Sequence, residues 1–576
     1  MKPRAWSSVL LLTPAGLLLA AFFIAPIGQF LQQGFLDREG GFTLSHALRL
    51  REAGTYADVM WTSLTISFWV TVFSILSGYP AAYVLANADR RGKGFWALFI
   101  LLPFWSSFLV RTFAWIVILG RQGPVNAALL AAGISDRPQE LLYSWGAVII
   151  GMTNVLVPFA ILTMVGVMER IDKTLMTAAG TLGARPVQAF FRIYLPLSMP
   201  GVTAAALLVF ITALGFFMAP ALLGSARETM ITQLIIQQVS DLVNWHFAAI
   251  LCLLLLAASL ILFAVFDRLV GVSALSGTAS LETGRQARSG ANHAAYAISA
   301  AIGDALAAVA EMLGLSPPRT AGLALRTRIW AMFVVLFLVA PLLLLVPVSF
   351  TGNTYLSWPP VNPGLRWYSQ VLTSPAWLSA AARSFIVALA TAAVTVAIAV
   401  PAAFAFLRLS GRSASAAFAL LISPLLVPRM VIAVSLFYVF AQLGLVGTAT
   451  GLVIGHAIIA LPYVFIAVIA VLKTYDRRLD QAAASLGASP LRTARHVTLP
   501  VISAGIISAA LFAFIISLDE LNIALFAAGG LQSTLPKMMW DEATLQFSPL
   551  LAAASTLVLA IMSAVVLLAA RLRSSV

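Results

Sequence analysis

Twelve long apolar runs alternate with polar joints along this chain, at about residues 8–30, 58–86, 95–119, 145–168, 201–222 and 246–266, then 329–350, 377–407, 416–441, 450–473, 501–520 and 546–570. A run of about 20 apolar residues, coiled as a helix, matches the hydrocarbon thickness of a bilayer. A helix also satisfies its own backbone there, where no water is available. The pattern predicts an all-α polytopic membrane protein with about twelve transmembrane helices. Between the sixth and seventh runs lies an Ala-, Ser- and Gly-rich stretch with a candidate helix at His293 to Leu315, serving as a spacer or lying on the membrane. The division read from this pattern is 1–271, a linker 272–328, and 329–576.

Two of the polar joints are the same joint written twice. Thr177 to Gly201 reads TAAGTLGARPVQAFFRIYLPLSMPG, and Gln481 to Gly505 reads QAAASLGASPLRTARHVTLPVISAG. An ungapped offset of 304 superposes Asp172 on Asp476, Gly183 on Gly487, Pro186 on Pro490, Leu195-Pro196 on Leu499-Pro500 and Gly201 on Gly505. Upstream, Ser63, Pro80 and Pro103 superpose on Ser384, Pro401 and Pro424 at an offset of 321, so the first half carries an insertion, placed in the joint Gly120 to Ser144. Each half has the same number of runs before its island. The halves are therefore two homologous six-helix units, parallel repeats about an axis normal to the membrane.

Composition narrows the class. Hydrophobic residues make up 61% of the chain and charged ones 10%, too few to cover a soluble surface. The net charge of +14 comes from residues spread over the joints, with no basic patch interleaved with aromatics, so the partner is the lipid bilayer and no nucleic acid is implied. Most Lys and Arg fall in the even-numbered joints, the linker and the two tails, including Arg90, Lys93, Arg170, Lys173, Arg192, Arg408, Lys473 and Arg495. The positive-inside bias puts both termini and both islands in the cytoplasm. The start, MKPRAW, is basic like a signal peptide. The run from Val9 to Ile27 lacks a small-x-small cleavage site, however, and reads as a retained first span. The single cysteine, Cys252, excludes disulfides within the chain, and no two histidines have metal-ligand spacing, so no metal site is expected.

Within each island, Asp172 or Asp476 can cap a short helix that ends near Gly183 and Pro186, or near Gly487 and Pro490. Small residues on one face invite close approach by another surface, and Pro196 and Pro500 are expected to fix the turn into the next span. The outer joints Phe35 to Ala57, Gly224 to Trp245, Thr351 to Pro375 and Ala528 to Gln546 either receive an external partner or simply connect. No GxxxxGK[ST] loop is present: Gly92-Lys93 is followed by Gly94.

The island pattern resembles the signature loop of ATP-binding-cassette importer permeases. The residues that carry it are Ala178-Ala179, Gly183, Ile193 and Leu195-Pro196, then Ala482-Ala483, Gly487, Val497 and Leu499-Pro500. The family's usual Glu before the two alanines is Thr177 here and Gln481 in the second copy. The resemblance implies a fused permease with two coupling loops, about 169–200 and 474–504. It further implies two separate ATPase subunits that bind ATP and Mg, a periplasmic or surface-held substrate-binding protein, and a bacterial inner-membrane location. The chain itself would be no enzyme and would hold no cofactor. A second likeness, of ADRRGKG (Ala88 to Gly94) to the major-facilitator loop, lacks the Gly expected at Leu85 and has no Asp in the corresponding second-half loop.

LGFFMAPALLG (Leu214 to Gly224) and SLDELNIALF (Ser517 to Phe526) are similar to spermidine/putrescine-type permeases, a group that includes opine and phosphonate importers and has fused ferric-iron and aminoethylphosphonate relatives. The first choice of cargo is a polyamine or similar organic cation. Asp519 and Glu520, with Asn522, are candidates for the path, because unpaired carboxylates at membrane depth are costly. The other reading makes them the start of a wet loop or partners of Lys537. Phe104, Trp105, Phe216 and Phe217 are candidate lining aromatics. Arg111 and Arg429 are expected to snorkel outward or pair with the carboxylates, and His456 to hydrogen-bond a neighbouring helix.

Overall fold

The computed structural model describes residues 5–270 (except 38, 53 and 105), the positions 301, 304, 305 and 308, and 322–574 (except 530 and 531). The expected helix at 293–315 lies almost wholly outside the described residues. So does Trp105, and the Phe104 side chain with it. Among the described residues the chain is helical throughout, with one isolated antiparallel bridge, Leu36 to Phe42.

Among the described residues ten helices are long and apolar enough to cross a membrane, and the pair Gly411–Leu425 and Arg429–Leu443, bent by 89°, makes an eleventh if counted as one span. The last predicted run is the helix Pro549–Ser574, whose described apolar part, Pro549–Val565, is shorter than a full span. Two predicted spans are broken. The third separates into Arg90–Phe104 and Phe108–Leu119, the ninth into Gly411–Ile422 and Arg429–Leu443. Prolines explain the breaks: Pro103 and Pro424 sit at matched positions beside them, and Pro428 precedes the second helix of the ninth span. Proline removes a backbone donor and clashes with the preceding turn. Hydropathy stays high across both breaks, so periodicity alone misses them.

The fifth and eleventh spans begin about a dozen residues before the apolar runs do, at Pro186 and Pro490, and run unbroken to Leu214 and Leu518. Pro196 and Pro500 therefore do not fix a turn. Each lies inside a continuous helix just after a five-residue π-turn, Phe190–Tyr194 or Ala494–Thr498. There the N–H of Leu195 donates to Phe190 and that of Leu499 to Ala494, one residue further back than in an α-helix. The slipped ladder accommodates a residue that has no N–H to give.

Each half has a three-helix centre. Gly54–Asn87 packs on Trp145–Met168 and on Pro186–Leu214, and Pro375–Phe406 packs on Ala449–Thr474 and on Pro490–Leu518. The first span of each half leaves its own centre and packs on the other half. Val9–Gln33 lies against Pro375–Phe406 and Arg429–Leu443, with Phe22 on Phe440 and Phe30 on Tyr438. Gly322–Val348 lies against Gly54–Asn87 and Phe108–Leu119, with Phe337 on Trp115 and its carbonyl accepting from Asn154 Nδ2 at 2.8 Å. Large apolar side chains such as Trp61, Phe68, Leu76, Phe385, Ile386 and Leu389 remain exposed on the outside of the bundle, as lipid-facing positions do.

A shared device holds the outer helices. Ser63 Oγ accepts from Ile231 N at 2.9 Å, and Ser384 Oγ accepts from Leu535 N at 2.7 Å. These serines cap the helices Ile231–Ser240 and Leu535–Leu545 from a distant span, which accounts for their repetition at matched positions.

Candidate functional site: two island helices and a central cleft

The two islands fold alike. Each opens with an aspartate: Asp172 Oδ1 accepts from Thr174 N and Asp476 Oδ1 from Arg478 N, both at 2.9 Å. The Thr174 N–H, and then its hydroxyl, hold the Asp172 carboxyl below the usual carboxylate range. The helices are Thr174–Thr181 and Arg478–Ser485, so both aspartates cap from just outside, as expected.

Each helix closes with a Schellman turn. Ala184 N donates to Ala179 O and Gly183 N to Gly180 O. In the second copy Ala488 N donates to Ala483 O and Gly487 N to Ala484 O. That turn needs a left-handed residue, and Gly183 and Gly487 supply it at φ +86° and +82°. The Ala-Ala and Gly spacing is thus the spacing of one capping motif. Pro186 and Pro490 do not end these helices. They occupy the first turn of the next, where a missing N–H costs nothing.

Thr177, Ala178, Gln481 and Ala482 face outward, and Ala179 is buried. Two residues that sequence reasoning passed over dominate the free surface: Leu182 and Leu486 are each 88% exposed, at matched positions beside the left-handed glycines. Leu175 and Leu479, also matched, are exposed on the same helices. The offset of 304 would have flagged both pairs.

The islands differ in how they are held. In the second, Asp480 Oδ1 accepts from the Tyr475 hydroxyl at 2.7 Å and from the Thr498 hydroxyl at 2.8 Å, strapping the helix to the π-turn. The equivalent first-half residues are Met176, Ile171 and Tyr194. There Tyr194 is buried under Tyr83 and stacked on Phe190, and the nearby Arg192 pairs with Asp304 of the linker at 2.5 Å. Lys93, within the ADRRGKG stretch, pairs with Glu169 at 2.9 Å at the start of the first island segment.

A narrow cleft of about 50 Å³ opens between the halves. Its walls are Phe108, Thr212, Gly215 to Met218 and Ile211 from the first half, and Pro424 to Arg429, Ile459, Tyr463, Asp519 and Asn522 from the second. Asp519, Asn522, Phe216 and Phe217 are thus brought together as the sequence suggested. Glu520 lies just behind, 1% exposed, with Arg429 Nη1 3.5 Å from its Oε2. Lys537 pairs with Asp541 instead, at 2.5 Å, which removes it as a partner of Asp519 or Glu520.

Asp519 reaches across the interface. The Phe108 N–H, at the start of the helix Phe108–Leu119, points at both of its oxygens at 3.3 Å. A carboxylate from one half therefore sits at the positive N-terminus of a helix from the other. Arg111 does not snorkel. It is wholly buried, donates to the Val155 carbonyl at 3.1 Å, and lies over the Phe108 ring at 5.2 Å. His456 Nδ1 is 2.7 Å from Ser517 Oγ, the interhelical bond expected of it. His46 and His246 stack at 5.1 Å near the outer helix Ser45–Glu52, a pairing the sequence spacing did not suggest. Among the described residues, no three His, Cys, Asp or Glu side chains form a metal-sized group.

A duplicated helical bundle that swaps its first spans, closes around a central cleft and projects a matched helix from each half defines a transport permease. The family model described as the binding-protein-dependent transport system inner membrane component matches residues 60–272 and again 395–574, and this chain belongs to that family as a fused double permease. The spermidine/putrescine transport system permease protein PotB of Haemophilus influenzae is 33% identical over 252 residues, covering 43% of this chain and 88% of that protein. The Escherichia coli putrescine transport system permease protein PotI is 32% identical over 231 residues, covering 39% of this chain and 82% of its own length. A solved bacterial alginate ABC transporter in complex with its periplasmic protein aligns at TM-score 0.41 and 19% identity, over 46% of this chain and 94% of that one, and adds nothing to the assignment. The chain is thus a multi-pass inner-membrane component of an ATP-binding-cassette importer.

Proposed function

We propose that this chain carries a small organic amine, a polyamine or a related organic cation, by alternating access driven from outside the chain. Two ATPase subunits dock on the islands, one per half, and bind the ATP and Mg that the chain does not. In this reading the islands and both termini face the cytoplasm, and a substrate-binding protein delivers cargo to the outer joints. The halves 1–271 and 329–576, joined by the linker 272–328, rock against each other, each carrying the first span of the other.

The observation that supports this best is the pair of island helices. Each ends in a rigid Schellman turn that presents a bare leucine, Leu182 or Leu486, with small residues beside it. An apolar side chain held rigid on a water-exposed helix is suited to an apolar groove in a partner. A short, hydrogen-bonded turn joins each helix to the span that begins at Pro186 or Pro490 and reaches the cleft, so a push on the island is carried to the cargo site. Coupling is assigned to Asp172, Thr177, Ala178, Ala179, Gly183, Pro186, Leu195 and Pro196, and to Asp476, Gln481, Ala482, Ala483, Gly487, Pro490, Leu499 and Pro500.

Reconstitution tests both parts. Proteoliposomes holding the chain, its co-purified ATPase and its binding protein should take up cargo only with internal or external ATP on the island side. Uptake that follows a proton gradient, with no ATPase bound, would sink the proposal in favour of a secondary transporter. Asp519→Asn should lower amine uptake severalfold while leaving expression and ATPase binding intact; unchanged uptake removes this carboxylate from the path.

A further inference from the structure

The two walls of the central cleft are equivalent by the internal repeat and opposite in chemistry. The offsets of 321 and 304 place Phe108, Phe159 and Phe216 of the first half on Arg429, Tyr463 and Glu520 of the second. Both triads are real clusters. Phe108 lies 6.0 Å from Phe159 and 6.0 Å from Phe216, ring to ring. Arg429 lies against the Tyr463 hydroxyl and 3.5 Å from Glu520. The same three positions are thus aromatic in one half and charged or hydrogen-bonding in the other, and of the six Phe108, Phe216, Arg429 and Tyr463 line the cleft.

Accessibility sorts the charges. Glu520 and Arg111 are buried, whereas Asp519 and Arg429 line the cleft, and the Arg429 side chain is 26% exposed. The cleft therefore offers a ligand one carboxylate and one guanidinium. Asp519 stands beside Phe108, at the edge of the aromatic wall. Arg429 touches the Tyr463 hydroxyl and makes one long contact to Glu520, and the exposed quarter of its side chain is the part open to a ligand. A polycation entering here would meet a fixed positive charge, a repulsion that a low-dielectric site strengthens. An ammonium group alone would find Asp519 and the ring of Phe216, a favourable pairing of cation with carboxylate and ring, while Arg111 already covers the Phe108 ring. An acid group would find Arg429 and Tyr463.

We infer that the cleft is built for a zwitterion, a small organic amine that also carries an acid group, with its ammonium on the Asp519–phenylalanine side and its acid on Arg429. This rests on the amine-importer reading above, keeping its small organic amine and replacing the second cationic group of a polyamine with an acid. Arg429, Tyr463, Phe108 and Phe216 are then specificity-determining residues. The unlike walls give a reason for the asymmetry of the repeat, because a symmetrical diamine has no use for them.

The test uses the full chain in lipid nanodiscs, with ligand-observed saturation-transfer NMR. The probes are 4-aminobutyrate and putrescine, which match in length and differ in one terminal group. Wild type should favour 4-aminobutyrate roughly tenfold, the worth of one charge-assisted contact. Arg429→Lys should keep the preference. Because Arg429→Gln alone would strand a buried Glu520, the double variant Arg429→Gln with Glu520→Gln is the deciding one, and it should reverse the preference towards putrescine. Asp519→Asn should weaken both probes.

Preference of the wild type for putrescine, or an unchanged preference in the double variant, overturns the zwitterion while leaving the amine importer standing. Failure of both probes to bind, or binding indifferent to Asp519→Asn, overturns the amine reading and this inference with it.

Discussion

At the scale of single residues, the glycines that end the island helices are fixed by backbone geometry. Nothing lies within 4 Å of a Cβ placed on Gly183 or Gly487, so bulk alone is no obstacle. The obstacle is the left-handed conformation, which costs an L-residue roughly 1–2 kcal/mol and a β-branched one more. Gly183→Val and Gly487→Val should therefore unwind the turn that presents Leu182 or Leu486. Transport per ATP hydrolysed should fall in both, to different degrees, while Gly183→Asn stays near wild type; wild-type coupling in both valine variants would refute the role. Leu182→Ser and Leu486→Ser test the docking surface itself, and each should weaken ATPase co-purification without changing the fold of an exposed site.

The Asp172 cap has a definite pH sense. Its carboxyl is depressed by the Thr174 N–H, so the cap is in force above the ordinary carboxylate range and is lost as pH falls through the lowered value. Coupling measured at neutral pH should accordingly tolerate Asp172→Asn, which caps as well, and suffer from Asp172→Ala.

At the scale of elements, the two islands are the same lever with different fastenings. The second is strapped by Tyr475, Asp480 and Thr498, whereas the first leans on aromatic packing and on the Asp304 contact from the linker. Asp480→Met, which copies the first-half residue Met176, should loosen the second island and cost coupling, whereas Met176→Ala should cost less; the ratio of transport to hydrolysis in vesicles reads both.

The islands were legible in the sequence because they are polar, repeated and surrounded by apolar runs. Their start at Asp172 and Asp476 and their closure at Gly183 and Gly487 follow from capping chemistry that needs only local neighbours. The breaks after Phe104 and Ile422 were not legible, since hydropathy is blind to a ladder that stops while the side chains stay apolar. Nor was the onset of the fifth and eleventh spans, because Pro196 and Pro500 read as turns when a π-turn absorbs them. The cleft gathers distant segments from each half, so its composition could be guessed at Asp519 and Phe216 but its pairing of Asp519 with Phe108 could not. Arg111 looked like an interfacial residue by position and is instead a buried one, held by the carbonyls of the neighbouring span.

At the scale of the whole molecule, the halves are interlocked by their first spans. The second half presents the helices Pro375–Phe406 and Arg429–Leu443 to Val9–Gln33, through Phe440 and Tyr438 among others. Removing residues 1–33 should therefore damage the half it does not belong to: limited proteolysis in membranes should open sites in 375–443 before sites in 54–168. Cleavage confined to the first half would contradict the swap.

That exchange also sets a timetable for synthesis. The first span enters the membrane before anything else, yet the surface it packs on is translated more than half the chain later. Meanwhile the first half stays unfinished until Gly322–Val348 arrives to cover Gly54–Asn87. The first half is covered before the second is finished, and the stretch 272–321 is translated just before the missing helix appears. A pause by the ribosome there would leave two incomplete surfaces in the lipid at once, the moment at which such a chain is open to misassembly with its neighbours. Fusing the halves turns that wait into an encounter within one chain, where the partner's local concentration is fixed by the tether rather than by expression level.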